Sequence, residues 1–233
     1  MKRSRSIGKP LAMLTATISI GLAAGCAEKS VRPGVNDEYG KTETSVWVER
    51  FEAESREVFA HRERIADLVE VRPGEAVADI GAGTGVYTEL FAGRVGAGGR
   101  VYAVDIVQGF LDLISKRVKE RGLDHVETVL CREDSVELPA GSIDVAFVCD
   151  TYHHFEYPRS TLRSIHRALR RGGRLIIVDF IRVDGQSRQW VLDHVRAGME
   201  TVIREIGDAG FELVDTPATD YLKENYVLRF RRH

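Results

Sequence analysis

The sequence predicts an α/β fold built on a doubly wound, parallel sheet. Short apolar runs that are typical of strands alternate with amphipathic stretches of helical length, at 86–95, 108–121 and 158–170. Strands separated by helices of this length are joined by crossover connections, which keep neighbouring strands parallel. The second observation is a glycine-rich turn directly after the first strand, a feature typical of ligand-binding sheets of this kind.

The glycine turn follows a strand predicted at 75–80 and precedes a helix predicted to begin at Val86. Gly81, Gly83 and Gly85 stand at alternate positions, and without Cβ atoms the backbone can approach a ligand closely. The free amide groups at the start of the helix favour an anionic or polar ligand. A dinucleotide-binding turn would need Gly or Ala at position 86, so the spacing argues against that class.

Two further strands are followed by acidic residues at positions suited to ligand binding. The strand predicted at 100–105 ends in Asp105, whose carboxylate can accept hydrogen bonds from both hydroxyls of a ribose. A third strand, at 126–130, is followed by the stretch Glu-Asp-Ser-Val-Glu-Leu-Pro at 133–139. Ligands of open sheets bind beyond the carboxyl ends of the strands, so these residues are expected to serve one site.

The later part of the chain completes a set of five motifs. The stretch 142–150 is predicted to be a fourth strand, and a Leu-Arg-Arg-Gly-Gly turn at 169–173 leads into a fifth that ends at Asp179. Together with the D-x-G-x-G-x-G turn that begins at Asp79, these motifs resemble those of the class I S-adenosylmethionine (SAM) dependent methyltransferases. Their order and spacing match that family over most of the chain, from about 46 to 231.

The resemblance implies a Rossmann-like, doubly wound sheet of seven strands, mostly parallel with an antiparallel last strand. Strands at 211–215 and 225–231 would be the sixth and seventh, a closing pair that NAD-binding folds lack. A single long amphipathic helix is predicted before them, at 187–209. Apolar positions at helical spacing also predict N-terminal helices at 45–70, in two segments, which the resemblance would place as a cap over the cofactor.

SAM is the cofactor that the resemblance implies. The family pattern places the methionine amino group near Asp79 and the ribose on Asp105. It places the adenine amino group on Asp134, with the backbone amide of Ser135 available to a ring nitrogen. The cofactor-binding residues so implied are Asp79, Gly81, Gly83, Gly85, Asp105, Ile106, Asp134, Ser135 and Asp150.

Candidate catalytic residues follow the fourth strand. Asp150, His153 and His154 lie in a polar segment at the sheet edge where ligands bind, and either histidine could act as a base or contact the substrate. Capping of the next helix is the alternative role for the pair. Methyl transfer from a sulfonium mainly requires positioning, and a base is needed only if the acceptor arrives protonated. No metal is expected, because adjacent histidines on an extended chain point apart.

Composition fits one domain with a short appendage, at 233 residues and 43% apolar content. The formal net charge is −2, and four basic residues but no acid lie in the first 25 positions, which leaves the rest more acidic. An acidic body gives no electrostatic reason to expect nucleic-acid binding. Three cysteines do not make a disulfide framework.

The N-terminus has the layout of a secretory signal, with a basic start and an apolar stretch at 11–24. The sequence Leu-Ala-Ala-Gly-Cys at 22–26 resembles a bacterial lipoprotein cleavage box. We therefore expect a signal peptide at 1–25, a lipid on Cys26 and a flexible tether at 26–44, followed by the methyltransferase domain at 45–233. The expected location is the cell membrane or outer membrane, or the cytoplasm if the signal is not used. Export conflicts with a cofactor that is made in the cytosol.

The expected function is methyl transfer from SAM to an unidentified acceptor, most simply a small molecule. Two alternatives remain open at this stage. One is a lipid-anchored protein that keeps the fold and binds SAM without turnover, which the export signal motivates. The other is an NAD-dependent oxidoreductase, against which the residue at position 86 and the closing strand pair argue.

Overall fold

A computed structural model describes residues 28–233, and its centre is a seven-stranded sheet. The strand order is β3-β2-β1-β4-β5-β7-β6, and β7 is antiparallel to both of its neighbours while the other pairs are parallel. The predicted fold class is confirmed, including the antiparallel last strand. The strands are β1 Ala76–Ile80, β2 Arg100–Asp105, β3 Val126–Leu130, β4 Ile143–Cys149, β5 Leu169–Phe180, β6 Phe211–Asp215 and β7 Asn225–Arg232.

Helices cover both faces of the sheet. Three short ones precede β1 where two segments were expected, because the chain turns at 52–56 and again near His61. The α-helices are α1 Thr44–Phe51, α2 Glu57–Ala60, α3 Arg62–Leu68, α4 Val86–Val95, α5 Gln108–Glu120, α6 Pro158–Ala168, α7 Gln189–His194 and α8 Met199–Asp208. Among the described residues, no helix is long and apolar enough to cross a bilayer.

The sheet is buried on both faces, which explains why its central strands are apolar without interruption. Along β1, Ala78 packs with the layer that contains α6 and α8, whereas Val77 packs with the layer that contains α3 and α4. Ala146 and Val145 of β4 divide between the same two layers. This alternation follows from the two-residue period of a strand, and it fixes the register of the sheet.

The strand order reverses beside β1, which pairs in parallel with β2 on one side and β4 on the other. The connections from β1 and β4 therefore leave in opposite directions, and a crevice opens between them beyond the carboxyl ends of the strands. This crevice is where the motifs predict the site. It is covered on one side by the N-terminal segment and α1.

The prediction of one continuous helix at 187–209 is wrong. The structure has two helices there, separated by an extended stretch. Val195 has φ −83° and ψ 116°, and Gly198 has φ −77° and ψ 167°, neither of which is helical. The carbonyls of Leu192 and Val195 accept hydrogen bonds from the Arg182 guanidinium. That guanidinium replaces the backbone amides that a continuous helix would supply. Helix α7 consequently ends at His194, beside the crevice.

Residues 28–43 differ from the flexible tether predicted at 26–44, since they form turns that are hydrogen-bonded to the domain. The buried Glu156 accepts hydrogen bonds from the Ser30 hydroxyl at 2.8 Å and the Gly34 amide at 2.9 Å. The Asn36 side chain donates to the carbonyl of His154. A buried carboxylate needs such donors, which holds this segment against the crevice. Residues 1–27, with the predicted signal peptide and Cys26, lie outside the described residues.

Candidate active site

A single cavity of about 970 Å³ lies in the crevice at the carboxyl edge of the sheet. Its two ends differ in chemistry. The glycine end is formed by Phe110 and by residues of the predicted cofactor motifs, namely Asp79, Gly81, Gly83, Asp105 and Ile106. The histidine end is formed by residues from distant parts of the chain, namely Tyr39, His153, His154, Phe180, Trp190 and His194.

Asp105 organises the glycine end. Its buried carboxylate accepts hydrogen bonds from the amides of Gly83 and Val107, each at 2.9 Å. Gly83 has φ +53°, a conformation that glycine adopts without strain. Burial raises the pKa of Asp105 to about 6, so the group is still mostly ionised at pH 7. A carboxylate oxygen can accept more than one hydrogen bond, so Asp105 can hold the turn and still bind a ribose.

Asp79 lies at the bottom of the glycine end and is also buried. It accepts a hydrogen bond of 2.6 Å from the hydroxyl of Thr88, on the first turn of α4. Burial raises the pKa of Asp79 to about 7. The side chain therefore joins β1 to α4 and keeps the glycine turn between them in place. Its predicted contact with the methionine amino group stays a prediction.

Gly85 does not line the cavity, which differs from its predicted role as a cofactor contact. It begins α4 with φ +86°, and a Cβ built on it would lie 2.7 Å from Cγ1 of Ile114 on α5. The positive φ disfavours a residue with a Cβ, and the contact with Ile114 leaves little room for one. The third glycine of the motif thus lets α4 and α5 approach each other, while Gly81 and Gly83 form the cavity wall.

Asp134 and Ser135 lie away from the cavity wall, in contrast to their predicted adenine contacts. An antiparallel bridge between Arg132 and Ser135 closes a tight turn with Asp134 near its tip. The Asp134 side chain is 52% exposed and pairs with Arg132 at 3.3 Å, and the Ser135 amide already donates to the carbonyl of Arg132. The preceding Cys131, Arg132 and Glu133 line the cavity instead.

Asp150 does line the cavity, but both of its carboxylate oxygens are engaged. One accepts a hydrogen bond from the Arg56 guanidinium and the other from the Asn225 side chain, each at 2.7 Å. Burial raises the pKa of Asp150, and the charge of Arg56 partly opposes that rise. The residue connects the N-terminal helices to β7 across the sheet edge. It is placed to hold the cavity wall through these two hydrogen bonds.

His153 is oriented by the carboxylate that ends β5. It belongs to a short 3-10 helix, Tyr152–His154, which follows β4 directly. The ring Nδ1 of His153 lies 2.7 Å from Asp179 Oδ1, and its backbone amide donates to Oδ2 at 3.1 Å. Since a carboxylate accepts, Nδ1 carries the proton and the Nε2 lone pair remains available. Both side chains are buried, and the pair ties β4 to β5 at the cavity.

His154 lies next to two groups that the sequence motifs do not reveal. Its Nε2 is 3.1 Å from the Tyr39 hydroxyl and 3.2 Å from Nε2 of His194. Burial lowers the pKa of His154 to about 2 and that of His194 to about 4, and the charge of Arg32 and the neighbouring His153 add to both shifts. Both imidazoles are therefore neutral at pH 7.

The premise that the adjacent histidines point apart is wrong. The 3-10 turn brings the ring centroids of His153 and His154 to 4.3 Å, whereas an extended chain would direct them to opposite faces. His194 joins them from the end of α7, with ring centroids 5.1 Å and 5.0 Å from the two. The break in the predicted long helix creates this cluster, and no local motif in the sequence signals it.

Aromatic rings complete the histidine end. The half-exposed Trp190 stacks on His194 with centroids 4.7 Å apart, and it meets Phe180 edge-on at 5.4 Å. On the opposite side, the ring of Tyr39 meets His154 edge-on at 5.2 Å. Burial raises the pKa of Tyr39 to about 12, so its hydroxyl stays protonated. The result is a largely apolar pocket that carries a few polar atoms.

The sheet topology and the glycine end together define a class I methyltransferase. The fit to SAM rests on two observations: the backbone at Gly81 and Gly83 forms the wall of the cavity, and the Asp105 carboxylate lies in the same wall. The family described as "Methyltransferase domain" matches residues 78–177, which include both.

Comparison with known proteins agrees with this class. The ubiquinone/menaquinone biosynthesis C-methyltransferase UbiE of Ectopseudomonas mendocina is 33% identical over 177 residues, which cover 64% of this chain and 69% of that protein. The protein of the same name from Methylococcus capsulatus is 36% identical over 125 residues, covering 53% of this chain and only 50% of the relative. A solved SAM-dependent methyltransferase from Aquifex aeolicus superposes with a TM-score of 0.71 at 23% identity, over 82% of this chain and 100% of that one.

The chain belongs to the SAM-dependent methyltransferase family, and SAM is its cofactor. Of the three functions that the sequence left open, the comparisons support the methyltransferase and neither alternative. The chain spans about half the length of several of the curated relatives that it matches.

Proposed function

We propose that this enzyme methylates a small, ring-containing acceptor that binds at the histidine end of the cavity. The observation that carries this proposal is the continuity of one cavity from Asp105 to His194. SAM, bound at the glycine end, supplies a methyl group made electrophilic by the attached sulfonium. The contribution of the protein is to hold the two reactants in line and to exclude water.

The walls of the histidine end suit a flat, mostly apolar molecule. Phe180, Trp190 and Tyr39 present aromatic rings from three sides, and offset or edge-on contacts with such rings favour another ring. Neutral imidazoles add hydrogen-bonding atoms without adding charge. The arginines in the cavity lining belong to surrounding segments, and Arg56, which could meet an acidic acceptor, is already paired with Asp150.

We assign the catalytic candidates different roles. His153 and His154 form the part of the wall that lies beside the polar group of the acceptor, since both residues line this end of the cavity. Asp150 positions the wall through its hydrogen bonds with Arg56 and Asn225. Asp179 orients His153 through the hydrogen bond of 2.7 Å.

The names of the relatives favour a narrower class of acceptor. The protein from Ectopseudomonas mendocina is a C-methyltransferase of ubiquinone and menaquinone biosynthesis. A hydroquinone is a flat, apolar ring with hydroxyl groups, and it would match the walls described above. We therefore propose a hydroxylated aromatic ring as the acceptor of this chain.

The test uses the full-length protein. Calorimetric titration should detect SAM and S-adenosylhomocysteine but not NAD, and tritiated SAM should then label members of a panel of phenols and hydroquinones. Trp190→Ala should raise the KM for the acceptor with little change in kcat, because it removes binding surface and leaves the cofactor untouched. SAM binding without label transfer to any ring in the panel would overturn the acceptor class.

We also propose that the enzyme is anchored to a membrane through a lipid on Cys26. The support is the Leu-Ala-Ala-Gly-Cys sequence at 22–26 that follows an apolar stretch. Anchoring would place the cavity near a lipid phase, where apolar ring acceptors dissolve. Bacterial cells fed labelled palmitate should label the natural protein but not Cys26→Ser. Equal labelling of both proteins, or of neither, would contradict the anchor.

A further inference from the structure

Three histidines meet at the inner end of the cavity in an arrangement typical of metal ligands. One ring nitrogen from each of His153, His154 and His194 lies within 4.8 Å of those of the other two. We propose that these residues bind a divalent first-row transition ion, with Zn²⁺ as the representative. Imidazole is a preferred ligand of such ions, and three protein ligands leave a position open for a further one.

The spacing of the nitrogens matches what a zinc ion requires. The Nε2 atoms of His154 and His194 are 3.2 Å apart. Two nitrogens that each lie about 2.0–2.1 Å from a tetrahedral zinc are separated by about 3.3 Å. The remaining nitrogen separations are at most 4.8 Å, so the His153 ring would move closer to the other two when an ion binds.

His153 already has the environment of a metal-binding histidine. Its Nδ1 proton is held by the Asp179 carboxylate at 2.7 Å, which leaves the Nε2 lone pair as the free donor atom. Metal-bound histidines regularly donate their other ring proton to a carboxylate, which fixes the tautomer and makes the ligand more basic. Asp179 is almost completely buried, so its contact with His153 is not a surface ion pair.

The polar contacts of His154 are crowded in a way that an ion would relieve. Its Nε2 faces both the Tyr39 hydroxyl at 3.1 Å and the Nε2 of His194 at 3.2 Å. A neutral imidazole nitrogen offers either one proton or one lone pair in the ring plane, so it cannot serve both partners well. With an ion between the imidazoles, both Nε2 atoms become lone-pair donors, and the tyrosine hydroxyl can bond to whatever occupies the open position.

The charged groups near the three histidines are of opposite sign. Arg32 donates hydrogen bonds to the carbonyls of Asp193 and His194, so a positive charge stands beside the cluster. Asp179 contributes a negative charge on the far side of His153, and Asp150 lies along the same wall. The donor set is therefore three imidazoles with carboxylates nearby, which suits zinc better than magnesium or calcium.

All three histidines line the cavity, so a further coordination position of the ion could take water or an acceptor oxygen. An ion there would polarise a hydroxyl or carbonyl group of the acceptor as a Lewis acid. This role rests on the proposed function, whereas binding of the ion does not. The acceptor assigned to the histidine end is thus a ring that carries an oxygen atom able to bind the ion.

The experiment measures metal binding directly on the full-length protein. Chelator-stripped protein is titrated with Zn²⁺ against a chromophoric competitor, and with Co²⁺ to record its visible spectrum. We expect one equivalent of Zn²⁺ and a cobalt spectrum without thiolate charge-transfer bands. Asp179→Asn should weaken Zn²⁺ binding by about 10- to 100-fold, as is usual for outer carboxylates, and His194→Ala should weaken it at least as much.

His166→Ala is the matched control, since this partly exposed histidine on α6 does not line the cavity. Its affinity should equal that of the natural protein. The proposal is overturned if the folded natural protein shows no saturable Zn²⁺ binding or if His194→Ala binds as tightly as the control. Thiolate bands would equally overturn it, because cysteines would then hold the ion. SAM titration of the same samples separates the two claims, since a protein that binds SAM but no zinc loses only this inference.

Discussion

The two ends of the cavity are assembled in different ways. The glycine end comes from 79–84 and 105–110, which adjacent parallel strands β1 and β2 deliver to the same edge of the sheet. The histidine end comes from four separated segments, and Tyr39 lies 115 residues from its contact His154. A site made by neighbouring strand ends can be inferred from motifs along the sequence. A site made by loops and broken helices depends on tertiary contacts that motifs do not encode.

The largest effect is expected from Gly85→Ala, which tests whether this glycine serves packing or the cofactor. The positive φ costs about 1–2 kcal/mol for a non-glycine residue, and overlap with Ile114 adds about 1–3 kcal/mol. The free energy of unfolding should therefore fall by about 2–5 kcal/mol in urea denaturation.

Gly74→Ala is the control for this substitution. Gly74 has φ +85°, almost the value at Gly85, but nothing lies within 4 Å of its Cβ position. Gly74→Ala should lower the free energy of unfolding only by the backbone contribution, about 1–2 kcal/mol. Equal losses in the two variants would show that Ile114 does not constrain Gly85. The folded Gly85→Ala protein should bind SAM almost normally, because position 85 does not line the cavity.

The next effect is expected from Asp105→Ala at the glycine end. The change removes a charged acceptor of ribose hydrogen bonds worth about 1–3 kcal/mol, so SAM affinity should fall about 5- to 150-fold by calorimetry. Asp112→Ala is the control, since Asp112 is an exposed residue of α5 that pairs with Gln108. Unchanged affinity in a folded Asp105→Ala protein would remove the ribose assignment.

Much of the fold could be predicted from the sequence for clear physical reasons. The bounds of β2, β3, α4 and β6 are as expected. The inner strand β2 is a mostly apolar run that ends in a charged residue, whereas β3 and β6 are edge strands that mix apolar and polar residues. The crossover rule then places Asp79 and Asp105 at one edge. These inferences use only local pattern and strand order.

The histidine end could not be predicted in the same way. The stretch 187–209 has helical periodicity throughout, and only the tertiary contact with Arg182 ends α7 at His194. The stretch 28–43 is polar, as a tether would be, and only its tertiary contacts, such as those with the buried Glu156, show that it packs on the domain. The polar sequence is compatible with either state, and a partner more than 100 residues away decides between them.

The third prediction concerns this packed segment. Each carboxylate oxygen of Glu156 accepts one hydrogen bond, from Ser30 or from Gly34, and Glu156→Gln removes one of these two oxygens. The change should destabilise the packed state of residues 28–43 by about 1–2 kcal/mol. Amide hydrogen exchange at 30–40 should then accelerate about 5- to 30-fold, while the amides of β4 keep their protection.

Glu212→Gln provides the comparison for the exchange experiment, because Glu212 is an exposed acid of β6 that pairs only with the terminal His233. It should leave exchange at 30–40 unchanged. If both variants exchange alike, the segment is held by something other than Glu156. That result would weaken the view that the histidine end is closed by the N-terminal segment.

The smallest effect is expected at Asp134, where the sequence and the structure differ most. The family pattern assigns its carboxylate to the adenine amino group, yet the side chain is 52% exposed and pairs with Arg132. A hydrogen bond donated to a solvent-exposed carboxylate is screened and worth about 0.2–1 kcal/mol, so Asp134→Ala should weaken SAM binding only about 1.5- to 5-fold. Glu137→Ala, which removes the other acid that pairs with Arg132, is the control. A loss as large as that of Asp105→Ala would mean that the 132–135 turn rearranges when SAM binds, and the glycine end would then also depend on a loop that moves.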